Sequence, residues 1–278
     1  MKKILLILLS FWLITNISAQ SYTFMTYNLR YDNPRDGVNA WPERKDFLSD
    51  QLKFYSPDVF GIQEGLHRQV TYLDNALIKY NYTGVGRDDG KEQGEYCAIF
   101  YNSTKVKILK TSTFWLSDTP GKVSVGWDAA MERICTWALF EDVESNQKFF
   151  VFNTHFDHIG KKAREESVKL IVNKILEINP QAYPSMIMGD LNLMPESEPI
   201  VQMSHYFNDS KTVAKEVSFG PDGTYNGFNF QKPVTRRIDY IFTDKELISV
   251  QKYAILSDSK NCLYPSDHLP VFVELEFK

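Results

Sequence analysis

The chain has 278 residues, of which 43% are hydrophobic and 14% aromatic, and carries a formal charge of −4. This composition can bury a sizeable core, which excludes a disordered chain, and it lacks the bulk basic footprint of a sequence-independent nucleic-acid binder. Three cysteines, Cys97, Cys135 and Cys262, are too few to build a disulfide scaffold.

In chain order, the first feature is Lys2 and Lys3 followed by an apolar run over 4–14 and the small residues Ser18 and Ala19. A basic start, a short apolar core and a small-residue exit are the pattern of a secretory signal. The run is shorter than the roughly 20 apolar residues of a membrane span. The expectation is therefore a signal peptide over 1–19 and one domain over 20–278. The mature protein would be periplasmic or secreted, without a stable membrane anchor, and monomeric. A strand is predicted over 22–28, a helix over 41–55 stopped by Ser56 and Pro57, a strand over 58–63 and a helix over 66–80. Strand-like runs follow over 96–101, 106–116, 134–140 and 149–154. The clearest helix, over 163–178, carries Val168, Ile171, Val172, Ile175 and Leu176 at three-and-four spacing, one apolar stripe. Further strands are predicted over 185–188, 238–242, 247–256 and 271–277. Strands with interspersed helices favour two packed sheets flanked by helices.

Polar residues gather where the strand-like runs stop, the usual place for a site in α/β architecture. Asn28 and Glu64 end the first two strands. Asn153, His155 and Asp157 end another. Asp190 and Asn192 follow the short 185–188 strand, and Asp267 and His268 precede the last one. Residues two apart in an extended segment share a face, so Asp190 pairs with Asn192 and His155 with Asp157. Glu64 offers a hard oxygen ligand, which Mg²⁺ or Ca²⁺ prefers. Asp267 beside His268 is placed to orient the imidazole. Carboxylates, two histidines and Arg133 supply water activation, charge neutralisation and leaving-group protonation for phosphoryl chemistry. Singly, each motif also reads as an ordinary turn: Gly-Asp-x-Asn is compatible with an Asx turn. Their joint occurrence in this order is more specific.

Six blocks carry a resemblance: Met25-Thr26-Tyr27-Asn28, Ile62-Gln63-Glu64, Asn153-Thr154-His155, Gly189-Asp190-Leu191-Asn192, Arg237-Ile238-Asp239-Tyr240 and Ser266-Asp267-His268-Leu269-Pro270. Together they resemble the endonuclease/exonuclease/phosphatase (deoxyribonuclease I-like) superfamily, from about residue 22 to the C-terminus. The resemblance implies a four-layer α/β sandwich of two mixed β-sheets with helices outside, and a metal-dependent hydrolase of phosphate esters using Mg²⁺, with Mn²⁺ as a substitute. It implies Glu64 as main metal ligand with Asn28 beside it. Asp190 would activate water and Asn192 contact the phosphate. His268, steadied by Asp267, would stabilise transition-state charge, and His155 would protonate the leaving oxygen with Glu95 as its partner carboxylate. Asp239 would be a further site acid and Arg133 a phosphate contact. Four other stretches, beginning at Arg30, Phe114, Gly126 and Phe156, resemble an uncharacterised group of secreted bacterial members and are expected to shape substrate loops, as is 223–228 with Tyr225 and Phe228. The first expectation for the reaction is an exported phosphodiesterase or nuclease. The alternatives are a phosphomonoesterase on a sugar or inositol phosphate, or an inactive binding domain, though no residue of the six blocks is missing. Lys161, Lys162 and Arg164 are the nearest basic residues for a nucleic-acid substrate, or equally a solvated helix start.

Overall fold

The computed structural model describes residues 20–278, and the expected signal peptide at 1–19 lies outside the described residues. The first half contains β1 (Ser21–Asn28), α1 (Trp41–Tyr55), β2 (Val59–Gln63), β3 (Gly65–Leu66), α2 (His67–Ala76), β4 (Tyr80–Thr83), β5 (Glu95–Tyr96), β6 (Ile99–Asn102) and β7 (Val106–Trp115). The second half contains β8 (Ile134–Asp142), β9 (Lys148–His155), α3 (Lys161–Ile178), β10 (Ser185–Asp190), α4 (Glu198–Tyr206), β11 (Phe207–Asp209), α5 (Ser210–Val213), β12 (Asp239–Asp244), β13 (Ile248–Ile255) and β14 (Val271–Phe277). One sheet runs β13-β14-β1-β2-β6-β4 and the other β11-β12-β10-β9-β8-β7. Each has one parallel pair near its centre, β1 with β2 and β9 with β10, among antiparallel neighbours. The sheets are therefore mixed, and with helices outside they form the expected four-layer α/β sandwich.

Strand alternation builds the layers. In β9, Phe149 and Val151 enter the core between the sheets, while Phe150 and Phe152 enter the core under α3 and α4. In β10, Met186 and Met188 face inward and Ile187 faces the helices. In the other sheet Phe24 packs between the sheets, and Met25, Phe60 and Ile62 pack with Leu48, Leu52, Val70 and Leu73 under α1 and α2. Both faces of the central strands are buried, which is why they read as continuous apolar runs rather than as alternating ones. Fully burying each such side chain contributes about 1.5–3 kcal/mol.

Polar groups in the central layer are paired. Asn153 donates from Nδ2 to the carbonyls of Ile62 and Ala98 and accepts from Gln63 Nε2, so it ties the sheets rather than facing the site. Gly61 makes this possible, because a Cβ there would lie 2.6 Å from the Asn153 carboxamide. Helix α1 starts with Pro42 in its first turn and ends at Ser56, φ 46°, whose N–H bonds to Leu52 O. Helix α3 has Gly160 at its N-cap, and Asp128 from another loop accepts from Lys162 N and Ala163 N instead.

Three expectations change. The 66–80 helix ends at Ala76, and Tyr80–Thr83, rich in aromatic and β-branched residues, becomes an edge strand on β6. The 96–101 strand breaks after Tyr96, because Glu95–Tyr96 pairs with Gly65–Leu66 and only Ile99–Asn102 stays in the large sheet. Leu176, the last member of the α3 stripe, faces solvent. Cys97 and Cys135 are buried as small apolar groups, Cys262 is exposed, and all three are free thiols. No helix among the described residues is long and apolar enough to cross a membrane.

Candidate active site

The C-terminal ends of the two parallel pairs meet at one edge of the sandwich. In the first sheet the register sets Asn28 beside Gln63, so Glu64 emerges next to Asn28. In the second, Asp190 is paired with His155 of β9 on one side and with Asp239 of β12 on the other. Three chemically active residues thus form one row across three strands. The loop before β14 adds Asp267 and His268, and Ser266 Oγ donates to Asn28 O at 2.7 Å, joining that loop to β1.

Glu64, His155, Asp190, Asp267 and His268 form the floor of a cavity of about 470 Å³. One wall carries Arg30 and Tyr31, a second Arg87, Met131, Arg133 and His158, and a third Tyr225 and Arg236. Three of the four arginines are paired with carboxylates. Arg30 makes a two-pronged contact to Asp36, Arg87 one to Glu95 at 2.7 and 3.0 Å, and Arg133 Nε reaches Asp157 at 3.2 Å. Arg30, Glu64 and Asn192 all have left-handed backbone, with φ of 57°, 60° and 51°. Such conformations cost of order 1–3 kcal/mol each and cluster at functional sites.

Asn28 Nδ2 donates to Glu64 Oε1 and Asp190 Oδ2, both at 3.0 Å, while its Oδ1 accepts from Arg30 N. Asn28 thus stands beside Glu64, where the resemblance puts it, with its amide aligning the two carboxylates and its oxygen holding the Arg30 N–H. Glu64, half-buried, faces the cavity, and its Oε2 also accepts from Tyr31 N. Glu64, His155 and Asp190 each offer a ligand atom, all within 4.8 Å of one another. A hard carboxylate with a second one opposite, open to a polar cavity, fits a small divalent cation.

The two histidines sit in opposite electrostatic environments. His268 Nδ1 donates to Asp239 Oδ2 at 2.9 Å, and Nε2 lies 3.8 Å from Asp190 Oδ2. Burial pulls the imidazole down, but Asp239, Asp190 and Asp267 outweigh it and hold it well above its ordinary value, which favours the charged ring. The carboxylate that orients it is thus Asp239, not the expected Asp267. Cross-strand register brings Asp239 to it, whereas Asp267 turns toward Arg30, 3.9 Å away. His155 behaves oppositely. Burial first, then Arg133, Arg87, His268 and His158, hold it well below its ordinary value. Asn192 Nδ2 donates to His155 Nε2 at 3.0 Å, and Nδ1 is buried without a partner. A neutral ring donates a proton less readily than a charged one, so this environment favours His268 over His155 as the proton donor. Glu95 is not its partner either, because both carboxylate oxygens are held by Arg87. Burial and then Asp239 push Asp190 up to about 7, which poises it as a base near neutrality.

Arg133 lines the cavity, yet Asp157 and His158 hold its Nε and Nη2. Asp157 also accepts from Ala130, Ile159 and Gly160 N–H groups, so it organises loops rather than chemistry. Of the four stretches expected to shape loops, Arg30, Tyr31 and His158 reach the cavity, while Trp115 acts indirectly by donating from Nε1 to Arg87 O. Tyr225 sits with its ring edge-on to His268, 5.1 Å between centroids, and Arg236 lies over it. Arg87 was not singled out from sequence, because its partner Glu95 is eight residues on across a turn.

The sequence model of the Endonuclease/Exonuclease/phosphatase family matches residues 25–268. Among solved structures, a family protein from Bacteroides thetaiotaomicron superposes with a TM-score of 0.90 at 36% identity, covering 94% of this chain and 99% of that one. A mannosyl-6-phosphatase from Bacteroides thetaiotaomicron VPI-5482 gives 0.88 at 36% identity, over 92% and 100% of the two chains. Among curated relatives, the CCR4-Not complex 3'-5'-exoribonuclease subunit of Mycosarcoma maydis is 22% identical over 94% of this chain, which spans 51% of that protein's length.

Proposed function

The chain belongs to the Endonuclease/Exonuclease/phosphatase family, whose members hydrolyse phosphate esters, and on that premise we propose that it is a divalent-metal-dependent phosphomonoesterase acting on a sugar phosphate outside the cytoplasm. The observation that carries this reading is the cavity. The reactive groups lie on the floor of a space of about 470 Å³, within the range of small-molecule sites. The sequence puts a phosphodiester first. The acidic balance and the similarity to a mannosyl-6-phosphatase favour the monoester instead. The terminal pattern over 1–19 supports export, and Mg²⁺ is the cation proposed for Glu64.

A cation held by Glu64, with Asp190 opposite, would neutralise charge on the phosphoryl oxygens and polarise phosphorus. Asp190 accepts a proton from the attacking water, and Asn28 fixes the direction of its carboxylate. The neutral His155 accepts from Asn192 and holds that amide at the edge of the phosphoryl site. The His268 imidazolium, held by Asp239, stabilises charge on the phosphoryl group and delivers a proton to the leaving sugar oxygen. Arg30, Arg87 and Tyr225 contact the sugar. Phosphate release from a panel of hexose phosphates, inositol phosphates, RNA and bis-p-nitrophenyl phosphate, with and without Mg²⁺, tests this. Turnover of the hexose phosphates that stops on chelation is expected. Cleavage of RNA with no activity on any monoester would overturn it.

A further inference from the structure

Behind the cavity, α1 carries a buried guanidinium that faces no carboxylate within 4.0 Å among the described residues. Arg44 is 4% exposed. Its Nε donates to Asn39 O at 2.8 Å, Nη1 to Leu29 O at 2.6 Å and Pro265 O at 3.0 Å, and Nη2 to Arg30 O at 2.7 Å. The Arg44 guanidinium also lies over the Trp41 and Phe228 rings, at 5.2 and 5.7 Å. Burying a charge is expensive unless it is well paired, so four backbone carbonyls make a costly way to hold a helix in place.

Where those carbonyls lie points to another task. Leu29 and Arg30 directly follow Asn28, and Pro265 directly precedes Ser266, Asp267 and His268. Arg30 has the left-handed backbone whose N–H holds Asn28 Oδ1. Phe228 belongs to the loop that carries Tyr225, which is itself bonded to the Asp267 carbonyl through Asn226 N and Gly227 N. One planar group therefore fixes the exit of β1, the entry to β14 and the Tyr225 loop relative to each other. Lys cannot reproduce this, because an ammonium lacks the rigid fork.

We propose that Arg44 is a positioning residue: it sets the spacing between the Asn28–Glu64 side of the site and the Asp267–His268 side, and so governs both cation affinity and turnover. The proposal rests on the phosphoesterase reading above for turnover, but not for cation binding. Partners behind metal ligands are worth about 10–100-fold in affinity or activity, and a displacement of about 1 Å costs on the order of 10²-fold in rate.

The test uses the full mature chain with Arg44→Lys, and with Arg44→Gln, which keeps two donors and buries no charge. Mn²⁺ titration by calorimetry, kcat and KM on the preferred ester, and thermal melting are measured together. Folded variants should bind Mn²⁺ more weakly and lose kcat, each by about 10–100-fold, with KM little changed. A folded variant with a lowered melting point but wild-type Mn²⁺ affinity and kcat would overturn the proposal, since Arg44 would then only stabilise the fold. Failure of both variants to fold would overturn it too. If the wild type hydrolyses no hexose phosphate, the reading of the reaction fails while the Mn²⁺ titration still decides the role of Arg44. A wild type that neither binds Mn²⁺ nor turns over any ester overturns both.

Discussion

Asp239→Asn removes the carboxylate that donates most to the charge on His268 while leaving a group of the same shape. Asp239 Oδ2 is 2.9 Å from His268 Nδ1, and both residues are buried. Breaking a buried ion pair from one side costs about 3–5 kcal/mol. Losing it lowers the imidazole toward its ordinary value. His268 would then lose its charge at lower pH than in the wild type, with Asp190 and Asp267 as its remaining anionic neighbours. The sign for stability follows. A histidine raised in the folded state contributes stability that is full below its unfolded value of about 6.5 and is lost as pH rises through the folded value. Asp239→Asn should therefore destabilise the protein most below pH 6.5 and least at high pH. In catalysis, losing the positioned acid should cost about 10²–10⁴-fold in kcat/KM on an alkyl phosphate. The alkaline limb of the pH profile should move toward acid. The assay is kcat/KM against pH for wild type and variant on a hexose phosphate and on p-nitrophenyl phosphate, whose leaving group departs without a proton. An Asp239→Asn enzyme with an unshifted alkaline limb and unchanged kcat/KM on the alkyl phosphate would refute the reasoning.

Further expectations concern other parts of the site. His155→Ala should lose activity equally on alkyl and p-nitrophenyl phosphates, whereas His268→Ala should lose more on the alkyl ester; the opposite ranking, read from kcat/KM, would restore His155 as the acid. Because Asp190 lies at about 7, kcat/KM should rise with pH through that region; a flat acid limb down to pH 5 would exclude it as the base. Glu64→Gln should abolish reactivation by Mg²⁺ after chelation and leave the melting temperature of the metal-free protein nearly unchanged, since the side chain is only half-buried; a large loss of melting temperature would make it a structural residue. Asn153→Ala removes the donor to Ile62 O and Ala98 O and the acceptor for Gln63 Nε2, though Ala98 O keeps the Ile62 N–H and Gln63 keeps Thr26 Oγ1, and should cost about 1–3 kcal/mol in all in urea unfolding; an unchanged midpoint would show the sheets need no such tie.

Much of the architecture is legible in the sequence because hydrophobic period and strand length are local properties. The strands at 22–28 and 271–277 and the helix at 41–55 lie where their apolar runs put them. The cluster of Glu64, His155, Asp190 and His268 is legible as well, because each residue ends or precedes a strand and the blocks come in a characteristic order. What is not legible is which residue holds which. His268 adjoins Asp267 in sequence, yet its partner is Asp239, set by the antiparallel register of β10 and β12 and the fold of the loop before β14. Glu95 resembles a histidine partner, but the turn after Val85 brings Arg87 to it first. Arg44 leaves no motif at all, because its acceptors are backbone carbonyls, which any residue supplies.

The central proposal is that this site prefers a terminal phosphate to a bridging one. It is tested most directly by one comparison: kcat/KM of the purified 20–278 chain, with Mg²⁺, for a hexose 6-phosphate and for the methyl diester of the same compound. The leaving sugar can be identical, so the ratio reports how the site over Glu64, His155 and His268 discriminates a terminal from a bridging phosphate, in charge as well as in size. The account predicts that the monoester is preferred by on the order of 10²-fold or more, the cost of a misplaced reacting group. A diester hydrolysed as fast as the monoester, or faster, would contradict it and return the protein to the phosphodiesterases.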